Sequence, residues 1–130
     1  MFRARDVERI VSLLHVPLVF LTRTGPVALI TAEAIANNVE ALLKRYGDVG
    51  AVNWHFQING DRAIGEGIVQ ADLTWRFLDS GGREVFSCDT TYILTGESAS
   101  TGRVMAVVVH NETEEYRKAV ARREAGNAGT

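Results

Sequence analysis

Residues 62–78 read RAIGEGIVQADLTWRFL, a run with a two-residue period. Its odd-numbered positions carry small or apolar side chains, and most of its even-numbered positions are polar. Because side chains of a strand alternate between the two faces of a sheet, this pattern predicts one long β-strand with an apolar face. The residues on that face are Gly65, Gly67, Val69, Ala71, Leu73, Trp75 and Phe77.

The segment before this strand predicts its partner. Residues 52–58, VNWHFQI, alternate in the same way, and Asn59-Gly60 follows them. An Asn-Gly pair between two alternating runs is a strong hairpin signal. A two-residue turn at this point would place Val52 and Trp54 over two cross-strand glycines, Gly67 and Gly65. We therefore expect the sheet to bend there.

Two further strands are predicted after it. Residues 79–82, DSGG, indicate a four-residue turn into a strand over residues 83–95, and a nearly continuous apolar strand covers residues 103–110. The turn length sets four cross-strand pairs on the apolar face: Trp75–Phe86, Leu73–Cys88, Ala71–Thr90 and Val69–Tyr92. The four strands form an antiparallel meander.

Helices are predicted on both sides of the meander, the first two from one apolar stripe each and the third from a cap at Asn111 and the charges at its two ends. The first covers residues 6–15 and ends at Val16-Pro17, because the residue before proline disfavours the α conformation. A short hairpin follows over residues 18–30. A second helix starts at a Thr31 cap and stops near Gly47, and a third ends near Ala125. The predicted fold class is α+β, a curved four-strand meander with a short N-terminal hairpin, covered by helices.

The chain length predicts one domain. It has 130 residues, of which 46% are hydrophobic, enough for one core. We assign residues 1–125 to this domain and residues 126–130 to a disordered tail.

Composition argues against several classes of function. The net charge of −2 gives no basic surface for nucleic acid. Residues 10–21 are apolar and follow arginines, as in a signal peptide, but Asp6 and Glu8 interrupt the basic region. The run is also shorter than a membrane span, so we expect a helix and a strand here and no membrane association. The single cysteine, Cys88, excludes an intrachain disulfide and favours a cytoplasmic location.

The apolar sheet face is the predicted ligand-binding surface. Small residues among large aromatic ones leave space on a concave face, which is typical of a small-molecule site. The expected ligand is a small apolar or amphipathic molecule. The opposite, mostly polar face suits solvent or a homodimer interface. The predicted binding residues are Trp54, Val69, Ala71, Leu73, Trp75, Cys88, Thr90 and Tyr92.

Two histidines are the candidate catalytic residues. His15, expected at the end of the first helix, could act as a general base, or it could simply interact with the helix terminus. His110 is expected near Cys88 and Thr90 on the concave face, as a pocket wall or in a Cys–His pair, although a lone apolar-face cysteine is more often a core residue.

Metal and cofactor signals are weak. Asp72 and Asp89 come out directly opposite each other, and two close carboxylates can share a proton or bind a cation. Solvated or interface acids are the favoured interpretation. No phosphate loop and no metal-spaced His/Cys set occurs in the sequence, so neither a metal nor a cofactor is expected.

The order of elements resembles the nuclear transport factor 2-like superfamily, especially its uncharacterised bacterial members. The similarity covers about residues 4–110. It rests on layout and on short segments: Asp6-Val7, His15-Val16-Pro17-Leu18, Thr24-Gly25, Tyr46-Gly47, Thr91-Tyr92-Ile93-Leu94 and Val107-Val108-Val109-His110. The superfamily includes ketosteroid isomerase, scytalone dehydratase and SnoaL-type polyketide cyclases. The resemblance implies a cone-like roll, and it speaks for fold more than for activity.

The chain departs from ketosteroid isomerase where that enzyme's chemistry lies. No tyrosine matches its oxyanion-hole residue, Asp48 falls in a loop, and the predicted register points Asp89 outward. Two function classes therefore stay open. One is a small-molecule-binding domain or cofactor-free acid–base enzyme of isomerase, dehydratase or cyclase type, with His15 or His110 as base and Tyr92 as hydrogen-bond donor. The other is a non-catalytic dimeric interaction domain with a filled core.

Overall fold

The computed structural model describes residues 10, 12–96 and 102–128. These residues form a six-stranded, curved and unclosed sheet with two helices, which confirms the predicted α+β class. The elements are β1 (Leu14–Thr22), β2 (Gly25–Leu29), α1 (Ala32–Asp48), β3 (Asn53–Gly65), β4 (Ile68–Leu78), β5 (Glu84–Thr95), β6 (Val104–Val109) and α2 (Glu112–Ala128).

The strand order across the sheet is β2-β1-β6-β5-β4-β3. Strands β3 to β6 form the predicted antiparallel meander. The N-terminal hairpin extends the same sheet, because β1 pairs in parallel with β6. Local sequence patterns do not show which edge a distant hairpin joins, so this pairing lay beyond the sequence analysis.

The predicted turn at Asn59-Gly60 is wrong, because β3 runs through both residues and the chain turns at Glu66-Gly67 instead. Gly65 pairs with Ile68, and Gly67 has a φ of 68°. Asn59 is the extra residue of a β-bulge between Ile58 and Gly60. Asn-Gly therefore marks a bulge, which also favours permissive residues.

Aromatic pairing across β3 and β4 accounts for the observed turn. Trp54 lies opposite Phe77 and Phe56 opposite Trp75, whereas the predicted register set Trp54 against a glycine. The rings of Phe56 and Trp75 are 5.3 Å apart. Cross-strand aromatic pairs stabilise a sheet by about 0.2–1 kcal/mol each, more than a ring over glycine provides.

The predicted register between β4 and β5 is wrong by two residues. Trp75 pairs with Cys88, and Phe77 pairs with Phe86. The loop has five residues, closed by a hydrogen bond from the Asp79 N–H to the Arg83 carbonyl (2.8 Å), and a bulge follows Phe77. The fifth loop residue and the bulge residue each shift the register by one residue, which gives the total of two. Because a two-residue slip keeps every side chain on its face, the predicted faces stay correct.

The same slip separates Asp72 from Asp89, which were predicted to be directly opposite. Asp72 pairs with Thr91, and Asp89 pairs with Thr74. Each carboxylate accepts a hydrogen bond from the threonine beside it, at 2.7 Å and 2.8 Å respectively. The acids therefore do not form a carboxylate pair.

Helix α1 covers the apolar sheet face. The Thr31 hydroxyl caps it by accepting a hydrogen bond from the Ala34 N–H at 3.1 Å, as predicted. Its buried side chains are Ile35, Val39, Leu43 and Tyr46, and they join one core with the inward residues of β4 and β5. The concave face is therefore the core face.

Helix α2 closes one side of the core. The Tyr116 hydroxyl donates to the Arg45 carbonyl (3.0 Å), and Arg122 donates to the Val85 carbonyl (2.8 Å). The helix runs to Ala128, so residues 126–128, assigned to a disordered tail, are helical instead.

The first predicted helix lies mostly outside the described residues. Ile10 and Ser12 are helical, but β1 begins at Leu14. His15 is therefore a strand residue, and the prediction that it ends a helix is wrong. Val16-Pro17 is also inside β1, so the helix stops earlier than the proline rule alone indicated.

The observed turn can be tested with two glycine substitutions. Gly67→Ala should lower the free energy of unfolding by about 1–2 kcal/mol, because only glycine adopts the left-handed conformation freely. Gly60→Ala should be neutral or stabilising by up to about 1 kcal/mol, because Gly60 has no positive φ and a Cβ there meets no atom within 4 Å. Chemical denaturation measures both. A larger loss of stability in Gly60→Ala than in Gly67→Ala would instead support a turn at Asn59-Gly60.

Candidate functional site

A cavity of about 340 Å³ lies between the concave sheet face and α1. Strands β1 and β3 to β6 supply most of its wall, and α1, the first residue of α2, and Ile10 and Leu13 ahead of β1 supply the rest. Leu13 and Phe56 line the cavity and are also exposed, at 57% and 49%, so they lie at its mouth. Leu18, Cys88 and Thr90 lie at its inner end, because all three are at most 5% exposed.

Five of the eight predicted binding residues line this cavity. They are Trp54, Trp75, Cys88, Thr90 and Tyr92. Val69, Ala71 and Leu73 are not part of its wall, although they are buried on the same face. They lie nearer the start of β4, where the side chains of this face are closely packed.

The structure does not bring the two predicted catalytic histidines to the cavity. The His15 Nδ1 lies 3.3 Å from the Pro17 carbonyl on β1. His110 follows β6 and is exposed, and its Nε2 lies 2.8 Å from the Thr91 hydroxyl. Val109, not His110, faces the cavity, so the predicted position of His110 beside Cys88 is wrong.

The Cys88 thiol is also unsuited to act as a nucleophile. Cys88 is 2% exposed, and burial, followed by the nearby Glu112 carboxylate, raises the pKa of its thiol to about 12. A thiol must ionise to act as a nucleophile, so this group suits packing rather than catalysis. The Cys–His pair therefore fails on geometry and on protonation state.

Three polar groups of the sheet converge in the cavity: the Trp75 indole N–H and the Thr90 and Tyr92 hydroxyls. The Trp75 and Tyr92 rings are 6.4 Å apart. Burial raises the pKa of Tyr92 to about 12, although hydrogen-bonding interactions of its hydroxyl with the Thr90 and Trp75 side chains lower it in part. Trp75 Nε1 and Thr90 Oγ1 are buried near the Tyr92 hydroxyl, but neither meets the distance and angle of a full hydrogen bond to a described residue. This wall therefore has unused hydrogen-bonding capacity.

Helix α1 adds a further unpaired group. Asn38 lines the cavity, and its Oδ1 is buried without a hydrogen-bond partner among the described residues. Leaving a buried polar atom unpaired costs about 1–3 kcal/mol. Several such atoms around one cavity leave its wall with polar groups that the described residues do not pair.

Glu112, the first residue of α2, is the carboxylate at this cavity. Burial raises the pKa of its carboxyl group, while Arg45 and a hydrogen bond from the Tyr46 hydroxyl lower it in part. Burial also raises the pKa of Tyr46 well above its ordinary value, and Glu112 adds to this effect. Tyr46 is therefore a hydrogen-bond donor to the carboxylate and not a proton source.

Asn38, Tyr46 and Glu112 were not found from the sequence. An acid in the first turn of a helix is expected from the helix dipole alone, so Glu112 carried no separate signal. Tyr46 marks the apolar stripe of α1, but that stripe does not show where the core is incompletely filled. The one available hint was that Asn38 comes three residues after Ile35, and so lies on nearly the same side of α1.

The convex face carries a satisfied polar network. The Thr91 hydroxyl donates to Asp72 and lies against His110, while the Asn59 amide donates to Thr74 at 2.9 Å. The Asp89 N–H donates to the Asn111 side chain at 2.8 Å. The polar groups of this network are therefore bonded to one another, in contrast to those of the cavity.

Among residues 10, 12–96 and 102–128, no group of three or more His, Cys, Asp or Glu side chains is placed to hold a metal ion. In the same part of the chain, no helix has the length and apolar character to cross a membrane.

The chain belongs to a family described as NTF2-like protein (DUF6841), whose profile matches residues 1–112. This assignment confirms the resemblance found in the sequence. Helix α2 lies almost entirely beyond the matched residues. No curated protein matches the chain.

Solved structures show the same fold at low identity. Aln2 from a Streptomyces species is 16% identical, with a TM-score of 0.59 over 88% of this chain and 82% of that one. A domain of unknown function with a cystatin-like fold from Nostoc punctiforme is 13% identical, with a TM-score of 0.56 over 95% and 85%. A ketosteroid isomerase-like protein from Erwinia carotovora is 9% identical, with a TM-score of 0.55 over 79% and 78%. At these identities the likeness concerns fold alone.

Two neighbouring threonines test the unused hydrogen-bonding capacity. Thr90→Val should raise the free energy of unfolding by about 1 kcal/mol, because it replaces an unpaired buried hydroxyl with a methyl group of similar size. Thr91→Val should lower it by about 1–2 kcal/mol, because the Thr91 hydroxyl bonds to Asp72. Urea denaturation of both variants measures the difference. A destabilised Thr90→Val protein would mean that its hydroxyl is already satisfied.

Proposed function

We propose that this chain binds a small, mostly apolar molecule that carries a hydrogen-bond acceptor. The observation that supports this most strongly is the buried, unpaired pair of Trp75 Nε1 and Thr90 Oγ1 at the cavity wall. The indole N–H can only donate, and no described residue accepts from it with full hydrogen-bond geometry, so an acceptor from a ligand would complete it. The Thr90 hydroxyl can donate to the same group.

The size and lining of the cavity fit this ligand. Small-molecule pockets run from about 300 to 1,000 Å³ and are mostly apolar with a few placed polar groups. A cavity of about 340 Å³ is at the lower end, so the ligand should be compact. Its wall includes Leu18, Phe77 and Val107, which are all at most 8% exposed and supply apolar contacts.

The cavity also bears on the alternative, an interaction domain with a filled core. A filled core would pack Trp75 and Thr90 against other side chains, and their polar atoms would have partners. Unpaired groups around an open volume favour binding instead. The position of both histidines outside this volume favours binding over the acid–base mechanism built on them.

The cavity can be tested with a fluorescent probe and one filling substitution. N-phenyl-1-naphthylamine, a neutral aromatic molecule, should become brighter when the native protein is added. Val107→Phe should abolish the increase, because Val107 lines the cavity and the larger ring occupies it. Fluorescence titration gives both affinities.

Val108→Phe is the matched control. Val108 is the next residue of β6, pairs with Thr91 on the opposite face and does not line the cavity. This variant should bind the probe as the native chain does. Equal loss in both variants, with native circular dichroism spectra, would contradict binding in the cavity.

The homodimer through the convex sheet face stays a prediction. Exposed polar residues of this face, such as His55, Gln57 and Asp72, are the expected contacts. Native mass spectrometry should show twice the chain mass of 14.2 kDa at micromolar concentration. A clean monomer under these conditions would contradict the prediction.

A further inference from the structure

Aromatic rings form a continuous surface on one side of the cavity. Trp75 lies at its centre, with the Phe56, Phe77 and Tyr92 rings at 5.3, 6.4 and 6.4 Å. Trp54 continues this surface on β3. The face of an aromatic ring carries negative potential and attracts cations within about 6 Å of its centre.

The charge at the cavity is negative, as is the potential on the faces of the aromatic rings. Among the described residues that line it, Glu112 is the one acidic side chain, and none is Lys, Arg or His. Glu112 is half-buried and accepts a hydrogen bond from Tyr46. Asp89 and Glu115 lie close enough to oppose ionisation of Cys88, so the wall near this end has acidic surroundings.

The basic side chain that acts on Glu112, Arg45, does not line the cavity. The Arg45 guanidinium stacks on the Tyr116 ring, 4.5 Å from its centroid. Arg45 favours the ionised form of Glu112, yet the ion pairs found within the described residues do not include either side chain. The Glu112 carboxylate is therefore available to a second cation.

We infer that the cavity selects a compact, lipophilic ammonium cation. This inference rests on the proposed binding function and names its ligand class. The ammonium group would lie between the Glu112 carboxylate and the aromatic surface, with Asn38 Oδ1 as a second acceptor for its N–H. An oxygen of the same ligand would accept from the Trp75 N–H.

The free energy of transfer from water shows why a preference for a cation would be informative. Moving a charged group from water into an apolar cavity is strongly unfavourable unless the charge is paired. A cavity without a complementary charge would therefore prefer a neutral ligand of the same shape. Preference for the cation requires the negative potential that Glu112 and the rings supply.

Two probes of the same shape separate these cases. para-(Dimethylaminomethyl)phenol is a cation at neutral pH, and para-isobutylphenol replaces its nitrogen with carbon. Both carry a phenol oxygen for Trp75. Isothermal titration calorimetry on the full chain should show about tenfold tighter binding of the cation, the ratio that corresponds to about 1.4 kcal/mol.

Glu112→Gln removes the charge and keeps the shape of the side chain. It should weaken binding of the cation about tenfold and leave the neutral probe within about twofold. Glu114→Gln is the matched control, because Glu114 is in the same first turn of α2 but is exposed. It removes the same charge from the helix terminus and should leave both affinities unchanged.

The outcomes distinguish the two proposals. Equal or tighter binding of the neutral probe, or an unchanged cation affinity in Glu112→Gln, would overturn the cation selectivity and leave the binding function standing. Binding of N-phenyl-1-naphthylamine with neither phenol bound would do the same. If all three molecules fail to bind, the binding function itself is wrong.

Discussion

The fold depends on one stack of aromatic rings. Tyr46 of α1 packs on Phe77 of β4 at 4.3 Å between ring centroids, and Phe77 stacks on Phe86 of β5 at 4.5 Å with an interplanar angle of 19°. This stack holds the helix on the sheet and fixes the register between β4 and β5. A two-residue slip would keep every side chain on its face, yet it would separate Phe77 from Phe86.

The cavity exists because the stack fills only part of the concave face. Beyond Phe77 toward Trp75 and Thr90, α1 presents Asn38 and Leu42 rather than large rings. The volume left open is bounded by polar atoms without partners, a defect that a sequence selected for stability alone would remove with apolar substitutions. Such stability-limiting features are often retained where function requires them.

The sequence was sufficient for the element types and sheet faces, because these follow from local periodicity. It was insufficient where a long-range contact competes with a local signal. Asn59-Gly60 favours a turn, but the pairing of Phe56 with Trp75 requires the turn seven residues later. His110 follows an almost unbroken apolar run, which has no alternation to assign its face. Glu112 could not be placed because its exposure depends on how α2 packs.

Thr90 and Thr91 show how the site is recognised. They have the same side chain, adjoin in β5 and are both buried, at 5% and 8% exposure. Thr91 is satisfied by Asp72 and lies against His110, whereas the Thr90 hydroxyl has no partner among the described residues. Their residue type is the same, but adjacent residues of a strand point to opposite faces of the sheet. Because the aromatic stack fixes which partners each face meets, the packing that stabilises the fold also determines which hydroxyl is left without a partner.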